Sequence, residues 1–210
     1  MTLDELAPNI GMPTFSNLGL SSNIEIIKNI LIVETDYAKV QKYMDAFNLS
    51  WSTPVDSVNN TPIHILVNAE YMNLPLFLNL PDKVVVDHFY SALNALNLNS
   101  FSILVANWRY VPADQTELYQ RALLRAVLLS PPGLLAPNNL VVHLCIQTLN
   151  IAFFDIIRTH PNYPTWVNVK VGGELSVRDH LRKQIVAIGI NDQTRDPFHH
   201  LLTSLTSPPT

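Results

Sequence analysis

Between Asp114 and His160 two long helical patterns are joined by Pro131-Pro132-Gly133-Leu134-Leu135-Ala136-Pro137, and no other feature of the chain restricts its fold as much. Proline and glycine stop a helix and turn the backbone, so the two arms are expected to fold back as an αα-hairpin over about 113–160. The first arm opens with Asp114 and, three residues on, Glu117. That spacing is close to a capping box and puts both carboxylates where the helix dipole favours them. Glu117, Arg121 and Arg125 follow at intervals of four as a charged ladder, with Leu118, Tyr119, Ala122, Leu123, Ala126 and Leu129 opposite. The second arm runs from Asn138 to about Thr159 and carries one thin polar stripe, His143, Gln147, Asn150 and Arg158. A helix so apolar elsewhere is expected to be buried on most sides.

The remaining segments are shorter. Residues 1–21 hold Pro8, Gly11, Pro13 and Gly19 and read as an extended N-terminal arm. Helical spacing is expected from Ser22 through Ile24, Ile27, Ile30 and Leu31, and again after a Thr35-Asp36 cap through Val40, Tyr43, Met44 and Phe47. A third helix is expected from Pro81-Asp82 through Val85, Phe89, Ala92, Leu93 and Leu96 to Asn97 or Asn99. Leu76–Leu80 is too short a run to assign. Apolar, β-branched stretches near 62–67 and 101–106 read as short strands, and Trp166–Val171, with its clean alternation, as the best strand of the chain. Gly172-Gly173 then turns into a helix that begins at Ser176, and Asp196-Pro197 starts a last short one. The fold class expected is mainly α: a helical bundle around the hairpin with a minor β component and extended terminal arms. Residues 22–206 form its single domain, and 207–210 a loose tail.

Composition bears on partners. The chain is 48% apolar and only 14% charged, where soluble domains average about 25% charged; part of its surface is therefore expected to meet other protein. Roughly a tenth of the residues are Asn, which favours caps and turns. A pI near 5.9 argues against bulk electrostatic binding of nucleic acid. Charge is nonetheless uneven, because residues 1–105 carry 4 Lys/Arg and no arginine among them, whereas 106–210 carry 9, including all seven arginines. Arg178 and Arg182 share a helix face with Lys183 beside them, and Arg121 and Arg125 make a second pair. Together these five are the candidate contacts to the phosphates of single-stranded RNA, with Trp108 and Tyr110 as stacking faces.

Chemistry of other kinds finds little footing. The seven histidines are isolated apart from the adjacent His199-His200, whose side chains diverge on a helix, so no metal or other cofactor is expected. Cys145, flanked by Leu144 and Ile146, reads as a buried, inert thiol. A lone cysteine fits a reducing compartment, the N-terminus lacks the pattern of a signal peptide, and no apolar run is long enough for a membrane span. A cytoplasmic protein with no membrane partner is expected. In general character the chain resembles a viral coat or virion structural protein: a self-assembling homo-oligomer, in contact with other structural proteins of the same assembly and, through the arginines, with RNA. The alternatives are an intracellular helical adaptor that binds one protein partner, and a hydrolase with a dispersed site around Asp155, His160 or His180.

Overall fold

The computed structural model describes residues 20–131, 134, 144, 145, 147, 148, 150–157, 176, 179 and 183, and eight α-helices have both ends among the described residues. They are α1 (Leu20–Val33), α2 (Tyr37–Ala46), α3 (Pro62–Val67), α4 (Leu74–Asn79), α5 (Asp82–His88), α6 (Ser100–Ala106), α7 (Thr116–Leu129) and α8 (Ile151–Ile157). Two 3-10 turns, Asn107–Tyr110 and Ala113–Gln115, link α6 to α7. The protein is mainly helical, and no strand occurs among the described residues.

Helices with one apolar face lie where their periodicity puts them. In α2, Asp36 accepts from the Ala38 amide at 2.8 Å as the N-cap, and Val40, Tyr43 and Met44 are buried. In α7 the buried side is Tyr119, Ala122, Leu123, Ala126 and Val127. The expected capping box at Asp114 does not form: Asp114 sits in the 3-10 turn after Pro112, and α7 begins two residues later with Glu117 in its first turn.

The two segments read as strands near 62–67 and 101–106 are instead helices α3 and α6. Pro62 occupies the first turn of α3, where its missing N–H costs nothing. Asn99 caps α6 by accepting from the Ser102 amide at 2.8 Å. Every residue of α3 and all of α6 from Ser100 to Val105 are buried. With no exposed face there is no helical period to read, and the β-branched residues tilt the pattern toward strand. The strand expected at 166–171 lies outside the described residues, as do the arm at 1–21 (apart from residues 20 and 21), the tail and most of the final two helices.

Helix α5 ends at His88, well short of the expected Leu96. Phe89 and Tyr90 turn into the core, where the Phe89 ring packs tilted against Phe77 at 5.0 Å between centroids and Tyr90 meets Phe101 edge-on at 5.6 Å. The Tyr90 hydroxyl donates to the Ala126 carbonyl at 2.6 Å, tying the turn to the last coil of α7. Leu74–Asn79, left unassigned in the sequence, is helix α4 with Pro75 near its start.

Helix α7 packs against α4, α5, α6 and α8, and α3 against α1, α4 and α6. A contiguous core runs between these two centres from Ile27 to Ile157, with Phe77, Phe89, Phe101, Phe153 and Phe154 as its largest side chains. Helices α7 and α8, which fall in the two arms of the expected hairpin, are in contact, while most of its joint lies outside the described residues. The second arm is not one continuous helix, however. Leu144, Cys145, Gln147 and Thr148 are helical, but Asn150 is not, and its amide bonds to the Cys145 carbonyl at 3.1 Å to close that helix. Its side-chain oxygen then accepts from the Phe153 amide at 3.0 Å and starts α8. Asn150, expected within the polar stripe of one long helix, is a buried cap between two helices.

Candidate interaction surface

Asparagine does two jobs at once at three helix starts. The side-chain oxygen of Asn73, Asn99 and Asn150 caps its own helix through Leu76, Ser102 and Phe153. The amide nitrogen of each then reaches an unpaired carbonyl elsewhere. Asn73 donates to Leu31 and Glu34 at the end of α1, both at 2.8 Å. Asn99 donates to Tyr90, and Asn150 to Val105 near the end of α6. Helix ends carry carbonyls with no partner of their own, so these residues fix the angles between helices as well as their starts.

The same residue type builds an exposed apolar feature. In the loop 56–60, Asp56 accepts from the amides of Val58 and Asn60 and from the Asn60 side chain. In the loop 94–98, the Asn94 oxygen accepts from the amides of Leu96 and Leu98. Asn59 and Asn97 supply left-handed backbone, φ 58° and 57°, which asparagine tolerates better than other non-glycine residues. The loops are joined by Ala95 N to Val58 O at 2.8 Å and by the Asn94 side-chain nitrogen to the Asn60 oxygen at 3.0 Å. Beneath them His64, fully buried, contacts Thr61 through Nδ1 and the Leu98 carbonyl through Nε2. This pair of loops holds Leu93 at 56% and Leu96 at 68% exposure, with Val58 also exposed. A second apolar ridge lies on α7, where Leu124 and Leu128 stand exposed beyond Glu117 and Arg121 on the face away from the core.

The residues expected to contact RNA are treated differently by the fold. Arg125 is turned inward: Nη1 donates to Phe77 O at 2.6 Å and Nη2 to Leu80 O and to Asp82 Oδ1, the last at 2.6 Å, while the guanidinium lies 5.7 Å from the Phe77 ring. Arg121 is exposed, and among the described residues it forms no ion pair, so the ladder with Glu117 does not close. Lys183 is exposed, and Arg178 and Arg182 lie outside the described residues. Trp108 is half-buried, its Nε1 donates to the Thr148 carbonyl, and Arg109 covers its ring at 5.8 Å. Tyr110 stands free at 69% exposure. The fold therefore does not bring Trp108 and Arg125 to a common open surface. Nothing in residue spacing announced that Arg125 would bind carbonyls some 45 positions away.

Cys145 is wholly buried, burial pushes its thiol well above the usual range, and its Sγ lies 3.8 Å from the Asn150 carbonyl. A thiol-specific reagent at neutral pH is expected to modify native protein no faster than the protein unfolds; rapid modification without denaturant would contradict this placement. Among the described residues no three of His, Cys, Asp and Glu converge to hold a metal ion. No helix among them is long and apolar enough to cross a membrane. Comparison with protein families, with characterised proteins and with solved structures finds no match for this chain.

Proposed function

We infer that the chain is a self-assembling structural subunit, most like a virion coat protein, that associates with further copies of itself through its rigid apolar loops. The observation that carries this reading is the exposure of Leu93 and Leu96 on loops held by a closed set of hydrogen bonds. An aliphatic side chain on a mobile loop folds inward or is averaged by motion. Fixed outward, it presents the same shape to every neighbour and gives up little entropy on binding. The low charged fraction, 14%, favours such contacts across the rest of the surface. The assembly form assumed is the helical bundle around the hairpin, with the arm at 1–21 and the strand at 166–171 available for exchange between neighbours. Its setting is the cytoplasm or the virion.

Sedimentation of the purified chain over a wide concentration range tests the reading, with negative-stain microscopy of the same samples. Regular oligomers or particles are expected. Leu93→Glu with Leu96→Glu is expected to weaken association by at least about a hundredfold, since burying each leucine is worth about 1.5–3 kcal/mol and glutamate adds a desolvation cost. A monodisperse monomer at high concentration overturns the proposal, and a small stable complex with a different protein favours the adaptor. RNA enters the same proposal through Arg121, Arg178, Arg182 and Lys183, with Tyr110 as the stacking face. Arg125 drops out of it because its donors are spent within the chain, and Trp108 because Arg109 covers its ring.

A further inference from the structure

The His64 ring sits where the two loops meet α3, and its hydrogen bonds fit the neutral ring. Nδ1 lies 3.1 Å from the Thr61 amide nitrogen and 2.7 Å from the Thr61 hydroxyl, and Nε2 lies 3.1 Å from the Leu98 carbonyl oxygen. A backbone N–H can only donate and a carbonyl can only accept. The lone pair is therefore on Nδ1 and the proton on Nε2, and the imidazole is neutral. A second proton would go to Nδ1. The Thr61 hydroxyl can rotate to receive it, but the Thr61 amide cannot, and would be left facing a cation with no acceptor in a site closed to water.

The geometry points to an acid-sensitive latch: protonation of His64 parts the loop 94–98 from the loop 56–60 and opens the apolar surface they form, while the helical core stays folded. This stands on the ring's hydrogen bonds and not on what the loops bind, so it holds or fails apart from the assembly reading. The loop 94–98 is the element that yields, because it is non-helical and solvent-facing and crosses to its neighbours through three hydrogen bonds, Ala95 to Val58, Asn94 to Asn60 and His64 to Leu98. The other elements around the ring are helices packed into the core.

Few charges offset the effect. The Leu98 backbone, Asp56 from the facing loop and the Ala92 backbone favour the protonated ring, but the Asp56 carboxylate already accepts three hydrogen bonds. Helices α4 and α6 contribute no titratable group, and those of α1, Glu25 and Lys28, pair with each other at 3.6 Å. Tyr90, in the segment leading to the loop, is neutral and bonded to Ala126. Desolvation dominates and holds the His64 pKa below its ordinary value. The sign follows: the open form, with a solvated ring, binds a proton more readily than the closed form. The latch is fully closed above the ordinary imidazole range and weakens as pH falls below it.

Hydrogen exchange on the full-length chain, at about pH 7.5 and about pH 5 with correction for intrinsic rates, tests the latch. The amide of Ala95, which bonds across to Val58, is expected to lose about tenfold in protection relative to those of α7; the ceiling is about thirtyfold, the ratio of protonated to neutral imidazole at pH 5 for a pKa of about 6.5. The nitrogen-15 shifts of the ring are expected to show the Nε2–H form at neutral pH and to titrate with the same midpoint as the loop amides. His64→Gln, which cannot take up a proton, is expected to keep loop protection constant across this range. Should that variant fail to fold, the match of ring and loop midpoints in the unaltered protein decides the question. Loop protection within about twofold at both pH values, loop and α7 amides lost together, or acid loss retained in a folded His64→Gln would each overturn the proposal.

Discussion

Replacing Asn150 with leucine, which conserves volume but removes every hydrogen bond, is expected to cost about 3 kcal/mol of folding stability. Three terms build that figure. The Phe153 amide loses its cap, worth about 1 kcal/mol. The Val105 carbonyl, 2.8 Å from the asparagine nitrogen in a dry site, loses its donor, worth about 1–3 kcal/mol. The Tyr119 hydroxyl loses the donor at 2.9 Å but keeps its own bond to the Leu104 carbonyl, so its share is small. Urea denaturation is the measurement, with the midpoint falling and the slope unchanged. Asn150→Asp separates the jobs: it keeps the cap but turns an oxygen toward the Val105 carbonyl, and is expected to fare no better than leucine. Tyr119→Phe is expected to cost about 1 kcal/mol alone and less in the Asn150→Leu background, because the two side chains share one network. A loss under about 1 kcal/mol for Asn150→Leu would mean that water replaces the amide and that the break between the helices is not held by this residue.

Asn150 also shows where sequence reading stops. Its chemistry was visible, since an asparagine-rich chain was expected to use the residue in caps and turns. Its partners were not, because Val105 and Tyr119 lie 45 and 31 positions away and no local rule links them. The helices that were legible, α2 and α7, each have a wet side and a dry side, and that contrast is what periodicity measures. Helices α3 and α6 lack it and were read as strands. For the interaction surface the error ran the other way. Val85, Phe89, Ala92, Leu93 and Leu96 do fit a helical spacing, but Asn94 accepts the amides that would continue the helix, and Leu93 and Leu96 are left facing solvent. A side chain competing with the backbone for hydrogen bonds leaves no trace in a count of apolar positions.

Arg125 is where the expectation from charge and the fold lead to opposite results. As one of a pair of arginines on a helix face, it was expected to hold phosphate, and its replacement would then weaken RNA binding and leave stability alone. Its observed position predicts the reverse. Phe77 O, which also accepts the Leu80 amide at 3.3 Å as α4 closes, and Leu80 O just beyond the helix both meet the guanidinium fork, whose carbon lies 5.7 Å from the Phe77 ring centroid. Arg125→Met, which keeps the stem and removes the fork, is expected to cost about 3 kcal/mol, from two charge-assisted bonds at about 1.5 kcal/mol each. The third partner adds little. Asp82 is 70% exposed although the arginine is only 16% exposed, so solvent screens that pair, and Asp82→Asn is expected to cost less than about 1 kcal/mol. Arg125→Lys keeps the charge but not the fork, and is expected to fall about midway, since an ammonium is a point donor that cannot match two carbonyls and a ring face together. Denaturation midpoints measured at low and high salt separate these terms: the loss in Arg125→Met should persist in high salt, and the small loss in Asp82→Asn should vanish. If Arg125→Met kept its stability and lost affinity for RNA, the guanidinium would belong to a binding surface; the carbonyls it meets in the folded chain argue that it belongs to the junction of α4 and α7.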